Sequence, residues 1–288
     1  MPSALVLIDK QPGWTSHDVV AKLRGILGTR KIGHAGTLDP MATGLLVLGV
    51  DGGTKLLQFI SGSDKQYLAT IRLGAATHTD DAEGDVVFSA SAKGISLAQI
   101  DAEIAKLTGE ITQVPSSVSA IKVDGKRAYD LVRDGKEVEL KGRQVTVSQF
   151  ARSSDLRVVD DFVDFDVVVD CTSGTYIRAL ARDIGSALGV GGHLTSLRRT
   201  RIANFDVAHA TEIDKAPVLL PLAAAAQSLF AAVELSHDQA RDIVHGKRIE
   251  LAVKDMVAAT WKGELLAVLE PAGSQAKSVV VFPEVFNA

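Results

Sequence analysis

Cysteine is nearly absent. The 288-residue chain carries one, Cys171, so no internal disulfide can form, and a reducing, cytoplasmic setting is expected. Cys171 follows the apolar run Val167-Val168-Val169, a context for an inert core thiol rather than a nucleophile. An excess of either charge is lacking too. The 31 Lys and Arg against 35 Asp and Glu leave a formal net charge of −4, so bulk charge does not advertise a polyanionic partner and local clustering must decide. Met1 to Lys10 lacks a basic region followed by a long apolar stretch, so neither a signal peptide nor a spanning helix is expected. Repeats and low-complexity runs are missing as well. What is present, 46% apolar and 23% charged residues, excludes a disordered chain, and the length suits one large domain plus a small one.

One stretch organises the rest. Gly33-His34-Ala35-Gly36-Thr37-Leu38-Asp39-Pro40-Met41-Ala42-Thr43-Gly44 is small, polar and flanked by glycines, and it runs into the aliphatic segment Leu45 to Val50. That segment has the length and composition of a strand covered on both faces, although periodicity alone leaves a helix open. Asp39 precedes Pro40, which pushes its backbone towards extended conformations. Asp-Pro by itself is a turn initiator. Sharing a loop with His34 and Thr37, it admits three chemical readings: a carboxylate nucleophile, a metal site using His34 and Asp39, and a glycine-rich anion cradle. The cradle lacks the Gly-Lys-Ser/Thr ending of a nucleotide-binding loop. The metal site lacks a nearby cluster of further ligands. The nucleophile reading stands.

Along the chain, Leu5 to Ile8 reads as a strand, and Ser16 as the N-cap of a helix that stops between Gly25 and Gly28. Gln66 to Leu73 alternates as a strand. The acidic segment Thr77 to Gly84 reads as a solvated turn, because its oxygens lack the spacing of a calcium loop. Ser96 to Leu107 predicts an amphipathic helix, Phe162 to Val169 a strand, and Ala179 to Leu188 a further helix. Residues 114–143 scatter Lys122, Lys126, Arg127, Arg133, Lys136, Lys141 and Arg143 around Tyr129. That pattern fits a solvated surface or an arm that grips a phosphate backbone. A domain boundary is expected near residues 225–232, followed by a small β-rich module.

These stretches resemble the TruB family of tRNA pseudouridine-55 synthases. The resemblance rests on Gly33 to Leu46, Lys10 to Val20, Lys65 to Ala69, Thr77 to Gly84, Ser119 to Lys122, Gly174-Thr175-Tyr176-Ile177-Arg178 and His193 to Arg199, in order along the chain. One departure is Val114-Pro115, where the family often has two prolines. The resemblance implies an α+β pseudouridine synthase fold with a central mixed, mostly antiparallel sheet over residues 1–228, residues 114–143 being an RNA-gripping insertion. It implies a PUA-like, RNA-binding module over residues 229–288. The implied reaction breaks the bond from ribose C1′ to uracil N1 in the tRNA T-arm, turns the base and reconnects it through C5, with no cofactor and no metal. Asp39 is implied as nucleophile, Arg178 as the group that holds it ionised and oriented, and Tyr67 as a stacking residue and general base. Tyr176 and Leu197 are implied to pack the flipped base, and His34 to fill the position it vacates.

No protein partner and no membrane are implied, and a monomer is expected. The alternative of a different class is an RNA-binding and tRNA-folding protein without relevant catalysis, which needs no carboxylate aimed at a base. A glycosidase is disfavoured because no second acid is clearly paired with Asp39. For an acidic chain to hold RNA, Lys10, Arg30, Lys31, Arg198 to Arg201 and the cations of 122–143 are expected to share one face.

Overall fold

The aliphatic run after the glycine-flanked loop sits near the middle of a large sheet. A computed structural model describes residues 3–116, 122–123, 126–127 and 140–286. Strand β1 (Ala4–Lys10) and strand β3 (Thr43–Val50) pair antiparallel from Ala4↔Val50 to Lys10↔Gly44, and β2 (Ile32–Ala35) pairs antiparallel with β3. Leu45, Leu46, Val47, Leu48 and Val50 are fully buried, so both faces of β3 are covered. Helix α1 (Ser16–Leu27) covers one face with Val19, Val20, Leu23 and Leu27; α2 (Leu57–Ser61) covers the other.

The cap of α1 differs from expectation. Thr15 is the N-cap, its side chain accepting from Asp18 N while Asp18 accepts from Thr15 N. This reciprocal box satisfies two free N–H groups at once. Ser16 is thereby released, and its hydroxyl turns inward.

Strand β4 (Lys65–Leu73) leads into the hairpin β5 (Ala75–Thr77) and β6 (Val86–Ser89), then helix α3 (Leu97–Lys106) and β7 (Gly109–Gln113). Of the expected basic arm, Lys122–Val123 (β8) and Lys126–Arg127 (β9) pair antiparallel; Tyr129, Arg133 and Lys136 lie outside the described residues. The chain resumes in β10 (Arg143–Arg152), β11 (Arg157–Val159), β12 (Phe162–Cys171), helix α4 (Ile177–Ala187) and β13 (Gly192–Ile202).

Two short strands, β14 (Phe205–Asp206) and β15 (Leu219–Pro221), complete the sheet, whose order is β15-β1-β3-β13-β4-β12-β10-β7. Every neighbouring pair in that order is antiparallel except β3 with β13, which run parallel and meet only at Arg198↔Thr43 and Arg199↔Gly44. The fold is α+β with a mixed, mostly antiparallel sheet. At the β3–β13 seam Gly44 adopts φ +97°, and a Cβ there would lie 2.2 Å from the Arg199 carbonyl oxygen, so only glycine lets the strands close.

After helix α5 (Leu222–Gln227) come β16 (Ala231–Glu234), helix α6 (His237–Val244), β17 (Ile249–Glu250), β18 (Val257–Trp261), β19 (Glu264–Ala272) and β20 (Gln275–Val281). The strands form a separate five-stranded sheet in the order β16-β18-β19-β20-β17. Leu222, Ala225 and Ala226 of α5 pack between Leu45 and Val47 of the large sheet and Ala258 and Val268 of the small one, so one apolar cluster joins the two. Among the described residues no helix is long and apolar enough to cross a membrane.

Candidate active site

The loop bearing Asp39 has few backbone partners of its own, and buried side chains supply them. Ser16 Oγ accepts from Leu38 N at 2.9 Å and donates to Leu38 O at 3.2 Å. Lys10 Nζ donates to Trp14 O (2.6 Å), Gln11 O (3.1 Å) and Pro40 O (3.2 Å), and Gly13 N also donates to Pro40 O (2.9 Å). Arg199 donates from Nε to Leu45 O (2.8 Å), from Nη2 to Gly36 O (3.0 Å) and from Nη1 to Thr37 O (3.3 Å). Lys10 and Arg199 are fully enclosed. Burial pushes the Lys10 amine down to about 8, against the pull of the nearby Asp39 carboxylate.

Asp39 projects from this pinned loop towards α4. Its Oδ2 lies 3.0 Å from Arg178 Nη2, and the exposures are unequal: the arginine side chain is 4% exposed, the carboxylate 39%. The cation is structural ballast and the carboxylate reaches the open space. Arg178 is fixed from behind, donating from Nη1 to Thr79 O (2.6 Å) and lying 3.4 Å from Asp81 Oδ2.

This overturns the solvated-turn reading of Thr77 to Gly84. Thr77, Asp80 and Asp81 are buried, and Arg182, one helical turn beyond Arg178, lies 3.3 Å from Asp80 Oδ2. Burial pushes the Asp80 carboxyl up, with Arg182 and Arg178 pulling it back. The segment is the acidic support of the α4 arginines.

A cavity of about 280 Å³ brings together Asp39, Tyr67, Tyr176, Arg178 and Leu197, with Lys65, Arg143 and Arg199 also in its wall. Tyr67, on β4 opposite Arg199, is enclosed. Burial raises its phenol above the usual tyrosine value, and the bonded Arg199 guanidinium opposes that rise. Tyr176 caps α4, with both backbone groups held by Gln113: N donates to Oε1 at 2.8 Å and O accepts from Nε2 at 3.0 Å. Lys65 Nζ donates to Ser61 O (3.0 Å) and Ser63 O (2.7 Å), and burial lowers its amine to about 8. His34 is not in the cavity wall. It stands half-buried on β2, edge-on to His17 with ring centroids 5.7 Å apart, and burial followed by His17 lowers its imidazole below the usual value.

The expected basic face is corrected in part. Arg198 is paired with Asp9 at 2.7 Å, Arg201 is paired with Asp170, and Lys10 and Arg199 are consumed by the loop. A register shift between Arg199 and Arg201 explains the sorting: Arg199 faces inward beside Tyr67, while Arg198 and Arg201 both fall on the opposite face. Arg30 and Lys31 do remain exposed. Cys171 is buried and pushed up to about 11, the inert thiol expected.

Sequence reasoning missed the structural work of Ser16, Gln113, Lys10, Asp81 and Arg199. Apart from Gln113, each falls within one of the recognisable motifs, which was the available signal.

Known proteins resemble this chain along its length. The family model for the N-terminal domain of TruB family pseudouridylate synthases matches residues 24–177, and the models described as tRNA pseudouridylate synthase B C-terminal domain and tRNA pseudouridine synthase II, C terminal, match 178–222 and 230–283. The tRNA pseudouridine synthase B of Leifsonia xyli is 53% identical, over 98% of this chain and 97% of its own. The chain belongs to the TruB family of tRNA pseudouridine synthases. Another relative of this TruB-family enzyme, the tRNA pseudouridine synthase B of Rhodococcus jostii, is 54% identical over 97% of this chain and 93% of its own. A solved H/ACA RNP bound to a substrate RNA containing 2′-deoxyuridine is similar in structure to the TruB-family chain, with a TM-score of 0.68 at 25% identity, over 97% of this chain and 84% of that one.

Proposed function

We propose that the enzyme isomerises the T-loop uridine at position 55 of tRNA, flipped out of the RNA, with Asp39 as nucleophile. The observation that carries this reading is the Asp39–Arg178 pair, 3.0 Å apart, in a cavity walled by Tyr67, Tyr176 and Leu197. The carboxylate adds covalently to the nucleotide and later leaves, dividing one difficult displacement into two easier ones. Between those events the C1′–N1 bond breaks, the uracil turns, and a C1′–C5 bond forms. The C5 proton departs and N1 gains one, so the sequence balances as an isomerisation.

Each surrounding group has a task. Arg178 orients the carboxylate. Tyr67 stacks on the base and, in its phenolate form, which the Arg199 guanidinium favours against burial, receives the C5 proton and so becomes the neutral phenol. Tyr176 and Leu197 confine the ring while it rotates. His34, whose imidazole burial holds below its usual value, fills the gap in the RNA left by the flipped base, which costs about a few kcal/mol to extrude. The five-stranded module is a PUA-like contact for the rest of the tRNA, and the enzyme acts as a cytoplasmic monomer.

The test uses unmodified tRNA transcript with wild type and Asp39→Asn. Pseudouridine at position 55 with wild type, a loss of more than about 10⁴-fold in the variant and retained binding are expected. Binding by both proteins with modification by neither would transfer the function to RNA binding and folding assistance.

A further inference from the structure

We propose that Arg143 is the anchor for a backbone phosphate flanking the nucleotide in the Asp39 cavity, an inference that rests on the RNA-modifying reading above. Arg143 opens β10 directly opposite Gln113 on β7, so the two side chains share a face. Both reach Tyr176. Gln113 holds its backbone, and the Arg143 guanidinium lies over its ring, with Cζ 4.7 Å from the centroid.

The guanidinium is unsatisfied. Nε and Nη2 of Arg143 are buried and have no hydrogen-bond partner among the described residues, although the side chain lines the cavity. A guanidinium is always charged and offers five donors, so two enclosed nitrogens without an acceptor are costly unless an anion arrives. Among the described residues, Asp39, the carboxylate in the cavity wall, is engaged by Arg178, as is Asp81, and Asp170 is engaged by Arg201. A planar fork whose Nε and Nη2 have no acceptor among the described residues has the geometry to take two oxygens of one phosphodiester. The α4 N-terminus, whose Tyr176 cap uses no side-chain bond, adds positive potential beside it.

The placement gives Arg143 two jobs on one nucleotide. Stacked on Tyr176, it fixes the ring that bounds the base; bonded to the phosphate, it fixes the ribose relative to Asp39. Arg143 is therefore a positioning and binding residue, separate from the Asp39–Arg178 pair.

The experiment is a cycle between Arg143→Met and single methylphosphonates placed at each phosphate flanking the target uridine of a T-arm RNA, reading affinity and single-turnover rate. With wild type, one methylphosphonate should weaken binding at least about tenfold. Arg143→Met should weaken the unmodified RNA comparably, show no further loss at that one phosphate, and lower the salt slope of binding by about 0.7. Arg143→Lys should keep the slope while slowing turnover. Losses that multiply at every flanking phosphate, or an unchanged salt slope in Arg143→Met, would overturn the proposal and leave the arginine as packing for Tyr176. If Arg143→Met melts early, the same cycle with Arg143→Lys decides: a smaller methylphosphonate penalty than in wild type supports the contact, and an equal one rejects it. Wild type that binds but makes no pseudouridine would count against the isomerase reading, while the affinity cycle would still report the phosphate contact.

Discussion

On and around the large sheet, Lys10, Lys65, Asp80, Asp81, Arg178 and Arg199 are all buried, and Lys10, Lys65, Arg178 and Arg199 each hold two or more partners. In the five-stranded module the buried polar side chain among the described residues is Thr260, and the ion pairs Lys277–Glu270 and Arg241–Asp238 sit in solvent. Both regions bury aliphatic cores, so apolar packing is enough to make a sheet of this kind stable. Burying a charge costs several kcal/mol of desolvation before its partners compensate. In the cleft those buried charges hold the loop that bears Asp39 in one place.

Removing a buried cation that holds three backbone carbonyls tests the comparison hardest. Arg199→Met should strip the Gly36, Thr37 and Leu45 carbonyls of their donor and destabilise the fold by about 3–5 kcal/mol in urea unfolding. Ser16→Ala removes two bonds to Leu38 at the base of the same loop; about 1–3 kcal/mol is expected, with turnover falling more than tRNA affinity.

The titration of the two enclosed lysines gives a smaller effect of fixed sign. Their folded values of about 8 lie below the ordinary lysine value of 10.5, so between these values the unfolded chain binds more protons and stability rises with pH. From pH 8 to 9 each lysine should add about 1 kcal/mol, and Lys65→Met should show a shallower rise than wild type. In the module, Lys277→Ala breaks a pair whose side chains are 48% and 40% exposed; a change below about 0.5 kcal/mol is expected. A larger loss there would erase the contrast between the two sheets.

Much of this was legible in the amino-acid order. The β3 run announced itself by its aliphatic length, α3 by its period and its Ser96 cap, and Asp39, Tyr67, Tyr176, Arg178 and Leu197 by the motifs that hold them. The Thr77 to Gly84 segment was misleading because a buried carboxylate and a solvated one look alike until the cation from α4, about a hundred residues onward, is in place. Arg198, Arg199 and Arg201 read as one basic cluster because a register shift leaves no mark on composition. Ser16 was read as a cap because Thr15 beside it has the same capping chemistry.

The seam between β3 and β13 joins the two antiparallel halves of the sheet through two residue pairs, reinforced by the reach of Arg199 and the Arg198–Asp9 ion pair. Asp39 belongs to one half, while Arg178, Tyr67 and Leu197 come from the other side of that joint. Either half alone therefore owns the Asp39 carboxylate without the pocket, or the pocket without the carboxylate. If Asp39 acts as proposed, turnover requires both halves to be joined, and its recovery in a refolding reaction reports that joint.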